Sequence, residues 1–155
     1  MPKTKVKQVD SYIYKMTKEG PIYLMLKRNT GKHYEHLWQG VAGKIEKGET
    51  AWETVIRELK EETGKTPIKI FVADHIASFY NAKDDIIQMV PIFGIEVENE
   101  DIVLSDEHCD FQWVIFDEAI KLLTWKGQNE GLKAVHDEVV SNDNRSIWSK
   151  IKLRS

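Results

Sequence analysis

The sequence predicts a mixed fold of the α+β (mixed α/β) class, because β-rich runs lie on both sides of one strongly marked helix and further helical segments follow. The 155 residues, 41% hydrophobic and 30% charged, are typical of one globular domain with a single sizeable core. The sequence contains no internal repeat and no low-complexity segment. We therefore expect residues 1–155 to form a single domain.

A turn signal and a polar loop divide the first third of the chain. The segment Lys18-Glu19-Gly20-Pro21 separates two apolar runs in which Val, Tyr and Ile favour extended structure. Thr30-Gly31 lies in a polar stretch, which is typical of a loop. The segments expected here are two paired strands within 5–16 and 22–26, a loop over 29–35 and a short strand over 37–42.

The central helix has signals at both of its ends. Thr50 and Glu53 have the spacing of a capping box, in which a hydroxyl and a carboxylate each bind an otherwise unpaired backbone N–H. We therefore expect the helix to begin at about Ala51. Gly64 favours the left-handed conformation that ends helices, and Pro67 is a second stop signal.

After this helix, further β-rich runs are followed by segments with helical spacing. Polar residues from Asn81 to Asp85 supply a turn between two long β-rich runs. Leu132, Val135 and Val139 share one stripe of a later helix. The predicted segments are strands over 68–79, 86–97 and 112–116, helices over 117–123 and 128–140, a loop over 142–144, and a strand or frayed helix over 148–153.

The central helix combines an apolar face with an adjacent acidic face. The apolar face consists of Trp52, Val55, Ile56 and Leu59, and the acidic face consists of Glu58, Glu61 and Glu62. Like charges one turn apart destabilise a helix unless a cation or a proton neutralises them. Arg57 can offset part of this charge and can reach Glu49, but one guanidinium cannot neutralise three acids. Such oxygen-rich clusters select hard cations such as Mg2+, although a solvated acidic face is the competing interpretation.

The segment from Gly43 to Gly64 reads GKIEKGETAWETVIRELKEETG and has the spacing G-x5-E-x7-R-E-Leu-x-E-E-x-G. Seven fixed residues at about 6% usage each arise by chance on the order of once in 10^8 start points. The segment resembles the signature box of the Nudix hydrolases, pyrophosphohydrolases that act on nucleoside diphosphates linked to another group. The resemblance implies the Nudix fold, an α/β/α sandwich with a central mixed sheet and a signature loop-helix-loop. Lys65 departs from the family pattern, which has an apolar residue there.

The resemblance also implies a cofactor and roles for individual residues. Mg2+ is the implied cofactor, with Mn2+ as a substitute. The implied metal ligands are Glu58, Glu61, Glu62, Glu107 and the carbonyl oxygen of Ala42, and Glu49 with Arg57 forms a supporting ion pair. The catalytic candidates are Glu58, Glu61 and Glu107. Glu58 and Glu107 both stay open as the general base, because Nudix enzymes differ in this residue, and Glu107 has the competing interpretation of an ordinary solvated loop acid.

The expected reaction is attack of water on a phosphorus atom, without a covalent intermediate, while a carboxylate accepts the proton. The candidate substrate contacts are Lys27, Arg28, Trp38, Gln39 and Tyr80. Trp38-Gln39 and the element from Glu107 to Trp113 look most like the branch that hydrolyses dATP and dihydroneopterin triphosphate. A nucleotide or pterin triphosphate is therefore the expected small-molecule substrate, cleaved to a monophosphate and pyrophosphate.

Two other kinds of function compete with this one. Within the same chemistry, the substrate is a nucleoside diphosphate derivative such as ADP-ribose, a nucleotide sugar, a dinucleoside polyphosphate or capped RNA. In a different class, the chain is a non-catalytic Nudix-fold nucleotide-binding module. Such a module is expected to have lost carboxylates of the box, whereas this chain retains all of them.

Charge and cysteine content argue against several other classes. A formal net charge of −3 disfavours a stable nucleic-acid partner or an anionic membrane, since both favour a basic face. Cys109 is the single cysteine, which excludes an intramolecular disulfide and a cysteine-built zinc site. The N-terminal sequence lacks the apolar core of a signal peptide, and no run has the length of a membrane span. We expect a cytoplasmic protein, and the oligomeric state stays open.

Overall fold

A computed structural model describes residues 1–153, within which it has nine strands and four helices. The strands are β1 (Lys3–Lys5), β2 (Gln8–Thr17), β3 (Gly20–Arg28), β4 (Trp38–Gln39), β5 (Val41–Lys44), β6 (Lys69–Asn81), β7 (Ile86–Glu96), β8 (His108–Ile115) and β9 (Lys150–Ile151). The helices are α1 (Ala51–Thr63), α2 (Phe116–Leu122), α3 (Lys126–Val139) and α4 (Ser146–Ser149). Over these described residues, every helix is too short or too polar to cross a membrane.

All nine strands belong to one mixed sheet, which confirms the predicted fold class. Its main path runs β4-β3-β2-β7-β6-β9, while β1 pairs with β7, β5 with β2, and β8 with β3. The pairs β2·β7 and β1·β7 are parallel, and the other pairs are antiparallel. The long antiparallel pair β6·β7 and the parallel pair β2·β7 hold the centre of the sheet together.

The predicted strand over 37–42 is two short strands that fill a gap between β2 and β3. β2 pairs with β3 from Ile13 onward, whereas its first half pairs with β5. β4 pairs with the end of β3. Gly40 joins β4 to β5, and a side chain there would overlap the carbonyl oxygen of Ser11. The glycine therefore allows the chain to cross close to β2 and to deliver β5 next to α1.

Helices cover both faces of the sheet and form the α/β/α sandwich that the family resemblance implies. On one face, Val55 and Leu59 of α1 pack into a core cluster with Ile13 of β2. On the other face, Leu132 and Val135 of α3 pack into a second cluster with aromatic residues of β2 and β3. The acidic side of α1 is thereby left at the edge of the first cluster.

Most element predictions are confirmed, and the differences occur where pairing partners are distant in the chain. The helix over 51–63 begins and ends at the predicted residues. β8 begins at His108, four residues before the predicted start at 112, because its pairing with β3 continues to Arg28. Phe116 begins α2 instead of ending β8. The last segment contains both expected forms, a single helical turn and then a two-residue strand.

Candidate functional site

Helix α1 is fixed at both ends, so its acidic side has a defined orientation. The Thr50 hydroxyl accepts a hydrogen bond from the backbone N–H of Glu53 at 3.2 Å, and the Glu53 carboxylate accepts one from the backbone N–H of Thr50 at 3.0 Å. Gly64 has φ of 77°, and its N–H donates to the carbonyl of Lys60 at 2.9 Å. These caps satisfy backbone groups that a helix terminus otherwise leaves unpaired.

Arg57 connects the loop before α1 with the acidic side of the helix. Its Nε and Nη2 atoms donate to the two carboxylate oxygens of Glu49 at 2.7 and 3.0 Å, and Nη2 also donates to the carbonyl of Lys44 at 3.0 Å. Nη1 donates to Glu58 at 2.8 Å and to Glu61 at 3.3 Å. The hydrogen bonds from Arg57 lower the pKa of Glu49 to about 2. Arg57 therefore keeps Glu49 ionised and holds the loop against the helix.

Glu58 lies directly against the backbone of β5. A methyl group added at Gly43 would overlap the carboxyl group of Glu58, so only glycine allows this approach. Burial raises the pKa of Glu58, and the ion pair with Arg57 opposes that rise. The loop–helix contact thus places one carboxylate of α1 next to the main chain of Ala42 and Gly43.

Three side chains from two parts of the chain form a cluster in which Glu62 and His108 are buried and Glu107 is exposed. A nitrogen of His108 and carboxylate oxygens of Glu62 and Glu107 lie within 4.8 Å of one another. Glu62 is 2% exposed, and neither of its carboxylate oxygens has a hydrogen-bond partner. Burial first, and then the Glu107 and Glu58 carboxylates, raises the pKa of Glu62 to about 10. Arg28 approaches Glu107 to 3.6 Å and opposes part of this effect.

A divalent cation fits this donor set. Glu62 has two buried oxygens without partners, which are strongly unfavourable unless a proton or a cation compensates them. Glu58 and Glu61 lie on the same side of α1, and the charges of Glu61 and Glu107 both raise the pKa of Glu58. Carboxylate oxygens in this number are the ligands that Mg2+ and Mn2+ accept. The arrangement can therefore bind a hard cation beside the Gly43 backbone.

The residues that sequence reasoning assigned to the substrate lie in different surroundings. Arg28 contacts Glu107 and also donates from Nε to the carbonyl of His33 at 3.1 Å. The Lys27 ammonium lies 6.0 Å from the centre of the Trp38 ring. Gln39 contacts His108, with 2.9 Å between their Nε2 atoms. The Tyr80 hydroxyl donates to Asp85 at 2.6 Å, at the end of the β6·β7 pair.

Sequence reasoning missed a buried histidine and a partly buried aspartate. His108 is 3% exposed, and its burial together with Arg28 lowers the pKa of its ring to about 4. Asp10 lies beside Ala42 in the β2·β5 pair, and burial raises its pKa to about 6. The Tyr12 hydroxyl lies 3.0 Å from the Asp10 carboxylate and donates to it. The pair Glu107-His108 was visible in the sequence, but the contacts of Asp10 depend on strand pairing.

Two exposed aromatic side chains, one of them in the loop between β3 and β4, form an aromatic edge. The rings of Tyr34 and Trp125 have centres 5.7 Å apart and meet edge to face. Tyr34 is 53% exposed and Trp125 is 49% exposed. A groove of about 260 Å3 lies between β6 and the first turn of α3, and its lining includes Lys126 and Gly127, which follow Trp125 in the chain. Arg28 ties the loop that carries Tyr34 to the acidic cluster through His33.

Comparisons with known proteins agree with this fold. The NUDIX domain model matches residues 6–135. The asymmetrical bis(5'-nucleosyl)-tetraphosphatase of Caenorhabditis elegans is 29% identical over 120 residues, which cover 76% of this chain and 84% of the relative. The dihydroneopterin triphosphate diphosphatase of Haemophilus influenzae is 28% identical over 134 residues, which cover 76% and 80%. The MutT protein of Methanosarcina mazei superposes with a TM-score of 0.71 at 22% identity, covering 90% of this chain and 98% of that structure.

Proposed function

Because the chain belongs to the NUDIX hydrolase family, we propose that it is a metal-dependent pyrophosphohydrolase that cleaves a nucleoside or pterin triphosphate to a monophosphate and pyrophosphate. The dATP and dihydroneopterin triphosphate types are the substrates we favour. The observation that carries the proposal is the buried, unpaired carboxylate of Glu62 next to Glu107. The named relative from Haemophilus influenzae, a dihydroneopterin triphosphate diphosphatase, supports the substrate class.

In this proposal the metal ligands are Glu58, Glu61, Glu62 and Glu107, together with the carbonyl oxygen of Ala42. Without a cation, these carboxylates would repel the phosphates of any substrate. Mg2+ held by these residues, or Mn2+ in its place, would reverse the local charge and would supply polarisation of a phosphoryl oxygen and a lowered pKa of water. Arg57 contributes by holding Glu58 and Glu61 on one side of α1.

We assign the proton acceptor for the attacking water to Glu107. One oxygen of Glu58 already accepts a hydrogen bond from Arg57 at 2.8 Å, and Glu62 is almost fully buried. The Glu107 side chain is 48% exposed, and its ion pair with Arg28 is longer, at 3.6 Å. Glu107 is therefore the carboxylate of this cluster that water reaches most readily.

The aromatic edge of Tyr34 and Trp125 is the part of the surface that we propose for the base or pterin ring. Both rings are half exposed, and a planar heterocycle gains by stacking on such a face. The loop of Tyr34 is linked to the cluster through Arg28. Lys27, whose ammonium lies near Trp38, is a candidate phosphate contact.

A second candidate function is asymmetrical cleavage of a dinucleoside tetraphosphate. The specific observation in its favour is the Caenorhabditis elegans relative of that name, which matches at slightly higher identity than the pterin enzyme. The same carboxylates would serve both reactions, so the product distinguishes them. Asymmetrical cleavage gives a nucleoside triphosphate and a monophosphate, whereas the favoured reaction gives pyrophosphate.

We also propose a cytoplasmic location and small-molecule substrates. The only cysteine, Cys109, is free and exposed, which suits a reducing compartment. The net charge of −3 gives no reason to expect a stable nucleic-acid partner.

The decisive experiment is a product assay on a panel of substrates with Mg2+ or Mn2+. The panel contains dATP, dihydroneopterin triphosphate, a dinucleoside tetraphosphate and ADP-ribose, and water labelled with oxygen-18 identifies the attacked phosphorus. The variant Glu61→Gln should lose most turnover, whereas Glu118→Gln, on the exposed side of α2, should keep it. If nucleotides bind but no member of the panel is hydrolysed, the chain is a binding module. Full activity of Glu61→Gln would show that this carboxylate of the signature box does not take part in catalysis.

A further inference from the structure

His108 lies between an amide side chain and the acidic cluster. The ring is 3% exposed, and its Nε2 atom lies 2.9 Å from the Gln39 side-chain amide. The other ring nitrogen, Nδ1, is buried and has no hydrogen-bond partner. A ring nitrogen of His108 lies within 4.8 Å of carboxylate oxygens of Glu62 and Glu107. Because Nε2 is occupied by Gln39, Nδ1 is the nitrogen available to these carboxylates.

The unpaired atoms of this cluster complement one another. Glu62 has two buried oxygens without a partner, and His108 has one buried nitrogen without a partner. Buried polar atoms are nearly always satisfied by a hydrogen bond, an ion or water. A cation placed among the three side chains would satisfy the oxygens of Glu62 and the nitrogen of His108 at once. This requires that Nδ1 carries a lone pair and no proton.

Gln39 can determine which ring nitrogen of His108 carries the proton. A neutral imidazole carries its proton on one nitrogen only, and the neighbour of the other nitrogen determines which. Rotating the Gln39 amide by half a turn exchanges its oxygen and nitrogen with little movement of heavy atoms. The oxygen then accepts the proton of Nε2 and leaves the lone pair on Nδ1, which is the arrangement that metal-bound histidines commonly have.

We propose that Nδ1 of His108 coordinates the divalent cation held by Glu62 and Glu107, and that Gln39 positions the ring for this contact. The proposal rests on the proposed function in taking this cluster as the metal site of the enzyme. It adds a nitrogen ligand to a site otherwise made of oxygens. It also changes the role of Gln39 from a substrate contact to a positioning residue.

A nitrogen ligand has a consequence for the choice of metal. Carboxylate and carbonyl oxygens suit Mg2+ and Mn2+, whereas imidazole favours later transition ions. The site should therefore bind Mn2+ more tightly than Mg2+, and His108→Gln should reduce the preference by removing the nitrogen. The relative affinity of the two ions is measured by competition, with Mn2+ as the spectroscopic probe.

Pulsed electron paramagnetic resonance of the Mn2+-loaded protein tests the contact directly. We expect a nitrogen hyperfine coupling that changes from the nitrogen-14 to the nitrogen-15 pattern when only histidine is labelled. The coupling should disappear in His108→Gln, with at least a tenfold weaker Kd for Mn2+, and should persist in His136→Gln. His136 contacts Tyr23 in the second core cluster and controls for the loss of a histidine. Bound Mn2+ without a histidine coupling in the wild-type protein would overturn the proposal, and this measurement needs no variant to fold.

Two substitutions of Gln39 test the positioning step. Gln39→Glu keeps an acceptor for Nε2 and should retain the coupling, whereas Gln39→Met removes the acceptor and should weaken Mn2+ binding about tenfold. Equal Kd values for the two variants would exclude Gln39 as a positioning residue. Hydrolysis without a histidine coupling refutes the nitrogen ligand and leaves the proposed function intact. A histidine coupling without hydrolysis of any substrate supports the nitrogen ligand and refutes the proposed function.

Discussion

Replacing Gly43 by alanine should remove most of the activity while leaving the fold in place. The added methyl group would lie well inside the 3.4 Å at which ordinary contact with the Glu58 carboxyl begins. Arg57 holds that carboxyl at 2.8 Å, so relief requires the carboxyl to move by roughly 1 Å away from its position. A displacement of this size at a reacting centre costs on the order of 100-fold in rate, or about 2.7 kcal/mol of transition-state stabilisation. The measurement is kcat/KM with saturating Mg2+, together with the Tm of both proteins.

Gly20→Ala is the matched control for this substitution. Gly20 has φ of 115° in the turn between β2 and β3, and no atom lies within 4 Å of a methyl group added there. Alanine should cost about 1 kcal/mol of unfolding free energy through backbone strain, with unchanged kcat/KM. A wild-type kcat/KM for Gly43→Ala would show that the position of Glu58 against β5 does not matter for catalysis.

Three further predictions concern individual side chains. Arg57→Lys cannot form the paired hydrogen bonds to Glu49, so kcat should fall 10- to 100-fold in steady-state assays, and an unchanged kcat would contradict this role. Because the pKa of Glu62 is raised from 4.5 to about 10 in the fold, the metal-free protein should lose stability as the pH rises between these values. Glu62→Gln should remove that trend and raise the Tm in EDTA, which thermal melts across pH will check. Trp125→Ala should raise KM about tenfold with little change in kcat, since stacking contributes about 1–3 kcal/mol per base.

Local signals in the sequence were enough to predict α1 and its acidic side. The Thr50–Glu53 capping box and Gly64 depend on residues within one turn of each other, and the helix has the predicted bounds. The alternating pattern of β6 and β7 is equally local. The bounds of these elements depend on residues close together in the chain, so they can be predicted without knowing which distant segments pack against them.

The surroundings of Glu107 could not be predicted in the same way. Arg28 and His108 are paired residues of β3 and β8, and the pairing is irregular at Lys27 and Arg28. That irregularity lies where Arg28 contacts Glu107. Nothing in the sequence near His108 indicates that its ring is buried against Gln39, because β4 and β8 come together only through their separate pairings with β3. Substrate candidates such as Gln39 were therefore assigned from position along the chain and not from their contacts.

Glu62 connects the stability of this fold with its chemistry. A helix position at this depth normally holds an apolar residue, and a carboxylate there without a partner opposes folding. Residues that oppose folding in this way occur mainly at functional sites. In the metal-free protein the cost is reduced when Glu62 binds a proton, and a cation must displace that proton to use both oxygens. If the cation proposed for this site binds, its binding should therefore be coupled to proton release at Glu62 and should raise the Tm more at higher pH.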